Sequence, residues 1–215
     1  MKKRILCYGD SNTWGFNAMN KKVYGQRFPE DVRWTGRLQI ILGDEYTVIE
    51  EGLCGRTTVF DDPLRDGLNG LKYLIPCLAI HNPLDYMILM LGTNDCKARF
   101  AALPKNIADG LQRLIETAQR ADVWRNGPQI LIIAPTPIEE GSDIYPIGRD
   151  MGPCSKKSEM LAEEYALWAK EDGCDFLDAA PFTRMNQYDY MHMDIESHAR
   201  LADKVAEIVK ARLQD

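Results

Sequence analysis

The segment that decides the fold is Arg4–Phe16, which reads RILCYGDSNTWGF. Its apolar run from Ile5 to Tyr8 stops at Gly9. A short apolar run that ends at a glycine is typical of a buried strand leading into a tight turn. Such a turn places the hydroxyl of Ser11 at the carboxyl end of a first strand, where open α/β sheets bind their ligands. Ser11 is therefore a candidate nucleophile, provided that the rest of the chain supplies a base and an oxyanion site.

Strand-like runs alternate along the chain with helical patterns at the spacing of β–α units. The predicted strands are Ile5–Tyr8, Tyr46–Glu50, Tyr86–Leu91, Gln129–Ala134 and Cys174–Leu177. The predicted helices are Trp34–Leu42, Leu71–Ile80, Ile107–Ala121, Ser158–Ala169 and Ile195–Leu213, the last with Asp194 as its N-cap. Apolar strands that alternate with helices predict a parallel sheet covered on both faces. We expect one domain over residues 1–215, a three-layer α/β/α flavodoxin-like sandwich with a five-stranded parallel sheet.

The composition argues against several classes of protein. The net charge is −6 and no basic run occurs, which argues against a nucleic-acid or anionic-membrane partner. No apolar run approaches the roughly 20 residues that span a bilayer. The apolar run near the N-terminus is also too short for the hydrophobic region of a secretory signal peptide. The cysteines stand singly, as in a cytoplasmic protein with reduced thiols. They are Cys7, Cys54, Cys77, Cys96, Cys154 and Cys174.

Two further loops are expected at the same sheet edge as Ser11. Gly55 follows the second strand, where its amide could donate to an oxyanion, and Asn94 follows the third strand, where its carboxamide could do the same. Taken alone, each is more typical of a plain turn. Their convergence would bring a hydroxyl, an amide and a carboxamide to one place. For Arg56, beside Gly55, we expect an intramolecular ion pair rather than a contact with an anionic substrate.

A general base must come from one of three histidines. His81 follows a predicted helix and is expected at a helix end or on the surface, and His198 lies on an apolar helical stripe that is typical of a packing residue. His192 instead lies in a loop three residues after Asp189. In a turn, this spacing lets the carboxylate reach the Nδ1–H of the imidazole, as the acid of a catalytic triad does. By itself, the D-x-x-H pattern is also consistent with a coincidental acidic loop.

Patterns for other chemistries are absent. The sequence has no Walker, G-x-G-x-x-G, EF-hand or H-E-x-x-H motif, and its histidines and cysteines do not group into a metal site. The G-x-S-x-G elbow of α/β-hydrolases does not fit either, because the serine follows the first strand. A non-catalytic alternative is a flavodoxin-like module whose first loop binds phosphate or flavin. That alternative assigns no role to Asp189 and His192.

Together, the four blocks resemble the SGNH, or GDSL-type, hydrolases. Ser11 in G-D-S, Gly55, Asn94 in G-T-N-D and His192 in D-x-x-H occur in the order of that family. Longer stretches are similar to its bacterial arylesterase and acyltransferase branch, among them DVRWTGRL, VIEEGLCGRTT and MLGTNDCK. Two departures bear on pocket shape and substrate preference. Asn12 stands where leucine is usual, and the last block reads D-Y-M-H where D-G-I-H is common.

The resemblance implies hydrolysis of small carboxylic esters, or acyl transfer to an alcohol, through an acyl-serine and without metal or organic cofactor. A carbohydrate O-deacetylase of the same family is the alternative. The implied catalytic residues are Ser11, Asp189 and His192, and the implied oxyanion hole is Ser11, Gly55 and Asn94. Supporting or pocket candidates are Asp10, Asn12, Trp14 and Cys54. Trp14 and Phe16 could line the pocket, but loop packing or an oligomer contact is equally compatible with aromatic residues here. The branch also implies a homo-oligomer. The long loops Asn17–Arg33 and Pro135–Pro153 could cover the cleft, line a subunit interface, or both, and the sequence does not decide between these roles.

Overall fold

A computed structural model describes residues 1–144 and 151–213 of the chain. Its strands are β1 (Lys3–Gly9), β2 (Phe16–Asn17), β3 (Gln26–Arg27), β4 (Tyr46–Gly52), β5 (Tyr86–Met90), β6 (Ile130–Ala134) and β7 (Asp175–Asp178). Its helices are α1 (Ser11–Trp14), α2 (Trp34–Leu42), α3 (Gly70–His81), α4 (Pro104–Gln119), α5 (Gly141–Ile144), α6 (Ser155–Glu159), α7 (Leu161–Glu171) and α8 (Ile195–Leu213). Two 3₁₀ turns, Asn94–Cys96 and Ala98–Phe100, follow β5.

The five predicted strands form one parallel sheet in the order β4-β1-β5-β6-β7, which confirms the predicted α/β fold. Side chains alternate between the two faces of a strand, and β1 shows this directly. Ile5 and Cys7 pack in the core under α2 and α8, whereas Leu6 and Tyr8 pack in the core under α3, α4 and α7. Helices therefore cover both faces. The strand order is that of flavodoxin-like sheets, whose ligands bind where the connection reverses, between β1 and β5.

The predicted helix boundaries needed correction at several places. The segment Ser158–Ala169, predicted as one helix, belongs to two helices, α6 and α7, separated by Met160. Helix α4 begins at Pro104, because proline fits the first turn of a helix, where its missing N–H has no partner to lose. The hairpin β2–β3 and the single turn α1 are too short for periodicity to reveal. The long loop after β6 contains α5, and its residues 145–150 lie outside the described part.

The N-terminus of α8 is capped as predicted. The Oδ1 atom of Asp194 accepts the backbone N–H of Ser197 at 2.7 Å, which satisfies one of the free amides of the first turn. None of the helices in the described part of the chain combines the length and apolar character that crossing a bilayer requires.

His198 on α8 is a packing residue, as its apolar stripe indicates. It is fully buried, and its Nδ1 accepts the backbone N–H of Trp34 at the start of α2 at 3.2 Å. Its ring meets the Phe28 ring edge-on at 5.3 Å. Burial lowers the pKa of His198 to about 3. The imidazole is therefore neutral in the folded protein at any pH near neutrality.

His198 should make the protein less stable in acid. Because its folded pKa of about 3 lies below the unfolded value of about 6.5, the unfolded chain binds the extra proton between these two pH values. The free energy of unfolding should fall by about 1.4 kcal/mol per pH unit below pH 6.5 through this group. Urea unfolding of the wild type and of His198→Gln from pH 7.5 to 4.5 measures the difference in slope. The variant should show the flatter curve, and equal slopes for wild type and His198→Gln would contradict the assignment.

Candidate active site

Ser11 is the first residue of α1, immediately beyond the carboxyl end of β1. Asp10 is the N-cap of this helix, and its Oδ1 accepts the backbone N–H of Asn12 at 2.9 Å. Gly9 permits the sharp turn, because a Cβ there would lie 2.0 Å from Thr13 Oγ1 and 2.8 Å from the Met90 carbonyl oxygen. The turn therefore needs a glycine and a capping carboxylate in front of the serine. Asp10 therefore acts within the turn as a supporting residue.

Ser11, His192 and Asp189 form a continuous chain of hydrogen bonds. Ser11 Oγ lies 3.0 Å from His192 Nε2, and His192 Nδ1 lies 2.7 Å from Asp189 Oδ2. Asp189 is fully buried, and Ser11 and His192 are each 7% exposed. The structure thus brings the three residues of the proposed triad together in the geometry of a nucleophile, a base and an orienting acid.

The second oxygen of Asp189 is held by the loop that carries it. Asp189 Oδ1 accepts the Nδ2–H of Asn186 at 2.8 Å and the backbone N–H groups of Met191 and His192, both at 3.2 Å. Asn186 also donates from both its side chain and its backbone to the His192 carbonyl oxygen, each at 2.7 Å. Asn186 therefore closes the loop around the acid. Sequence reasoning missed it, since nothing in its spacing distinguishes it from an ordinary turn asparagine.

These contacts determine the charge of Asp189. Burial acts to raise its pKa, but the hydrogen bond to His192, the charge of that imidazole and the donors in the loop outweigh it, so the pKa is lowered from its ordinary value. The carboxylate is ionised at neutral pH. An ionised Oδ2 beside Nδ1 keeps the proton on Nδ1, which leaves the Nε2 lone pair directed at the Ser11 hydroxyl.

Asn12 joins the serine turn to the histidine loop. Its Oδ1 accepts the backbone N–H of Met193 at 2.9 Å, and its Nδ2 donates to the carbonyl oxygen of Met191 at 3.3 Å. These backbone groups flank His192 on either side. A leucine at position 12 could make neither bond. This departure from the family pattern therefore connects the turn of the nucleophile to the loop of the base through two hydrogen bonds. Asn12 is a supporting residue and does not line the cavity.

Tyr190, the other departure, lies at a strained backbone position. Its φ of 61° is left-handed, a conformation that costs a residue other than glycine about 1–2 kcal/mol. Two backbone hydrogen bonds hold it there: its N–H donates to the Asn186 carbonyl oxygen at 3.1 Å, and its carbonyl oxygen accepts from Glu139 at 2.9 Å. Tyrosine thus adopts, at a cost in stability, a conformation that a glycine would adopt freely.

Three residues that line the cavity, Ser11, Gly55 and Asn94, each carry an N–H donor. Gly55 has a φ of +90°, which suits glycine, and Asn94 donates one N–H of its carboxamide to the Arg56 carbonyl oxygen at 3.1 Å. Within residues 1–144 and 151–213, no hydrogen bond occupies the other carboxamide N–H or the backbone N–H of Ser11 or Gly55. The residues predicted for the oxyanion hole thus line one cavity with donors available.

Asp95 connects the two loops that carry Gly55 and Asn94. It follows Asn94 in the 3₁₀ turn, and its Oδ1 accepts both the backbone N–H of Thr58 at 2.8 Å and the Thr58 hydroxyl at 2.5 Å. Its complete burial raises its pKa to about 6. Since Thr58 is three residues beyond Gly55, this carboxyl group fixes the spacing of the two loops.

The cavity beside Ser11 has a volume of about 300 Å³, at the small end of the range for ligand sites. Phe16 and Cys54 line it, and the Phe16 ring stacks on the His192 imidazole with centroids 4.2 Å apart. Burial, and then the charge of Asp10, raise the pKa of the Cys54 thiol to about 11. Cys54 is therefore a protonated wall residue and no rival nucleophile at neutral pH.

Two expectations for this region were wrong. Trp14 is not among the cavity-lining residues; the Arg27 guanidinium lies 5.4 Å from its ring centroid. Arg56 makes neither an ion pair nor a cavity contact among the described residues: it donates to the carbonyl oxygens of Gly9 and Glu51 and lies 4.0 Å from the Tyr8 ring centroid. Carbonyl oxygens and an aromatic face take the place of the expected carboxylate.

Several cavity residues were missed by sequence reasoning. They are Tyr24, Arg65, Thr93, Lys97, Arg99, Met151 and Met191. Thr93, Lys97 and Arg99 surround Asn94 in the sequence, and a search for charges beside that block could have found them. The others come from loops whose path a sequence alone does not reveal.

One group of side chains in the described part could in principle hold a metal ion. Potential ligand atoms of Glu51, Cys77 and His81 lie within 4.8 Å of one another, and none of these residues lines the cavity. His81 Nε2 already lies 2.8 Å from Glu51 Oε1, and burial followed by the charge of Glu51 raises the pKa of the Cys77 thiol to about 12. His81, the last residue of α3, therefore makes a structural contact with Glu51.

Comparisons with known proteins identify the family of the chain. The chain matches the GDSL-like Lipase/Acylhydrolase family over residues 7–201. It is similar to an aryl esterase of M. smegmatis, with 37% identity and a TM-score of 0.91 over 98% of this chain and 100% of that one. It is also similar to a carbohydrate acetylesterase from Sinorhizobium meliloti, with 36% identity and a TM-score of 0.88 over 98% of this chain and 99% of that one.

A more distant structure and the curated proteins complete the comparison. A member of the lipolytic protein G-D-S-L family from Veillonella parvula is 18% identical, with a TM-score of 0.66 over 96% of this chain and 97% of that one, and supports the fold alone. No curated protein sequence matches. Nearly the whole chain lies within the matched family region, in agreement with the resemblance read from the four sequence blocks. The chain therefore belongs to the GDSL-like lipase/acylhydrolase family.

Proposed function

We propose that this protein is a serine esterase that hydrolyses small carboxylic esters through an acyl-serine intermediate. The observation that carries the proposal is the hydrogen-bonded chain from Ser11 through His192 to Asp189, which opens on a cavity with three available N–H donors. The similarity to an aryl esterase and a carbohydrate acetylesterase supports ester chemistry.

The acylation step follows from these positions. Ser11 Oγ attacks the carbonyl carbon of the ester while His192 Nε2 takes its proton, and ionised Asp189 stabilises the imidazolium. The carbonyl oxygen becomes an oxyanion and accepts hydrogen bonds from the Ser11 and Gly55 amides and the Asn94 carboxamide. The tetrahedral intermediate then collapses, the bond to the leaving oxygen breaks, and His192 returns the proton to the departing alcohol.

Deacylation repeats the sequence with a new nucleophile. Water attacks the acyl-serine carbonyl carbon while His192 takes one of its protons, and the same three donors hold the oxyanion. Collapse releases the carboxylic acid, and the proton returns to Ser11 Oγ. If an alcohol takes the place of water, the product is a new ester, so acyltransferase activity needs no additional group.

Asn94→Ala tests the oxyanion donors. Loss of one preorganised donor should lower kcat by about 10²–10³-fold, because the donor acts on charge that develops in the transition state. Steady-state kinetics on an aryl acetate gives kcat and KM separately. Thr93→Val, an isosteric change at the neighbouring cavity residue, is the control and should have a much smaller effect. A kcat for Asn94→Ala close to that of the wild type would remove Asn94 from the oxyanion hole.

Active-site labelling tests the function as a whole. A fluorophosphonate probe should label the protein, and peptide mapping should place the label on Ser11. Label on another residue, or none, would contradict the proposal. A protein that instead carried bound flavin or phosphate and resisted the probe would be the binding module considered above.

A carbohydrate O-deacetylase is the second candidate, favoured by the similarity to the acetylesterase from Sinorhizobium meliloti. It would use the same residues in the same steps, so only the substrate distinguishes it from a general esterase. A panel of short-chain aryl esters beside acetylated sugars, compared by kcat/KM, separates the two.

We further propose a homo-oligomer in a reducing, cytoplasmic setting. The family branch implies the oligomer, and six free cysteines support the setting. Sedimentation velocity at micromolar concentration tests the oligomer, and a monomer there would contradict it.

A further inference from the structure

The cavity beside Ser11 is lined by an excess of positive charge. Arg65, Lys97 and Arg99 contribute to its wall, and none of its described lining residues is an aspartate or a glutamate. The whole chain carries a net charge of −6, so this excess is local and does not follow from composition.

The carboxylate of Asp62 lies beside two of these cations, Lys97 and Arg99. Asp62, whose side chain is fully buried, accepts from Arg99 Nη1 at 3.3 Å, whereas Lys97 Nζ lies 4.0 Å from its Oδ2. The second distance exceeds that of a hydrogen bond. Asp10 also stabilises the charged form of Lys97, but it is buried at the N-cap of α1 and does not line the cavity. Asp62 is therefore shared by Lys97 and Arg99, and its contact with Lys97 is the longer of the two.

Lys97 is the informative member of this group. Its side chain is only 8% exposed, and burial together with the charge of Arg99 lowers its pKa. A buried ammonium ion that makes no direct hydrogen bond to a carboxylate destabilises a folded protein. Such a group is favourable at a binding site, where a ligand brings the missing negative charge. Surface lysines elsewhere in the chain, such as Lys105 with Asp109, show ordinary exposed pairs instead.

The position of Lys97 relates this charge to the reaction. Its backbone N–H donates to the Asn94 carbonyl oxygen at 3.2 Å, so it lies in the same turn as an oxyanion donor. Arg65 comes from the loop before α3 and is exposed at the cavity wall. A small ester bound with its carbonyl at Ser11 would have its acyl or alcohol part within the same 300 Å³ cavity.

We propose that the ester substrates of this enzyme carry an anionic group, such as a carboxylate, in their acyl or alcohol part, and that Lys97 and Arg65 bind it beside Ser11. The proposal rests on the ester hydrolysis proposed above. A charge-assisted hydrogen bond in the cavity should raise kcat/KM for an anionic ester about ten- to hundredfold over a neutral ester of the same shape.

Matched ester pairs test the proposal and locate the anion. The pair 3-acetoxybenzoate and 3-acetoxybenzamide places the charge in the alcohol part, and the phenyl monoesters of adipic acid and of its monoamide place it in the acyl part. The ratio of kcat/KM for the anionic member to that for the neutral member should be about ten or more in at least one pair. It should fall towards one in Lys97→Met, which keeps the aliphatic length, in Arg65→Gln, and at high salt. Lys105→Met, distant from the cavity, should keep the wild-type ratio.

The possible results separate the two proposals. Turnover of the neutral esters without preference for the anionic ones would overturn the anionic-substrate proposal and leave the esterase intact. A preference for anionic esters that persists in both Lys97→Met and Arg65→Gln would also overturn the anionic-substrate proposal and leave the esterase intact. Failure to turn over any ester, together with failure of fluorophosphonate labelling, would instead overturn the proposed function. If Lys97→Met does not fold, the exposed Arg65→Gln still decides whether cavity cations select the substrate.

Discussion

Ser11→Ala and His192→Ala should each lower kcat for ester hydrolysis by about 10⁶-fold. The first removes the attacking oxygen, and the second removes the only group within hydrogen-bond distance of Ser11 Oγ that can take its proton among the described residues. Steady-state assays on an aryl acetate measure the effect, with active-site titration to exclude traces of wild-type enzyme. His81→Ala, a histidine in contact with Glu51 outside the cavity, is the control and should retain activity.

The double variant tests whether Ser11 and His192 act as one unit. Because nucleophile and base act as one unit, Ser11→Ala with His192→Ala should be no slower than either single variant. Additive losses would mean that the two residues act independently. Circular dichroism and thermal unfolding should confirm that the variants fold. Substantial turnover by either single variant would contradict the assignment of nucleophile and base.

The parts of the site that the sequence predicts lie at strand ends. Ser11, Gly55 and Asn94 each follow an apolar run that is recognisable from local pattern, and parallel strands bring their carboxyl ends to one edge. The position of the chemistry therefore follows from periodicity and connectivity. The direction of a side chain in a single-turn helix does not, and Trp14 at the end of α1 is the example: its indole packs against Arg27 and leaves the cavity wall to Phe16.

The residues that support the site could not be predicted from the sequence. Asn186 holds Asp189 through a loop that closes on the His192 carbonyl oxygen, and Asn12 reaches backbone groups on both sides of His192 from the other end of the chain. Neither contact has a sequence spacing to reveal it. The same applies to Arg65, which a long irregular loop brings to the cavity wall beside Lys97. Tertiary contacts of this kind appear only once the loops are placed in space.

The two departures from the family pattern meet in one small region. Tyr190 occupies the left-handed position where glycine is common, and this strain lies two residues before His192. Asn12 binds Met191 and Met193, the residues on either side of His192. The added hydrogen bonds of Asn12 therefore act on the same loop that Tyr190 strains.

Asp189→Asn should lower kcat by about 10⁴-fold while the protein stays folded. The three N–H donors around Oδ1 require an acceptor there, so an asparagine would place its carbonyl oxygen at that position and its NH₂ group towards His192 Nδ1. A donor facing Nδ1 forces the imidazole proton onto Nε2, which then donates to Ser11 Oγ and can no longer accept its proton. Fluorophosphonate labelling of Ser11 should slow by a similar factor, since it needs the same proton transfer. Asp203→Asn on the exposed side of α8 is the matched control and should label at the wild-type rate. Labelling and turnover within tenfold of wild type for Asp189→Asn would show that this carboxylate does not orient the base.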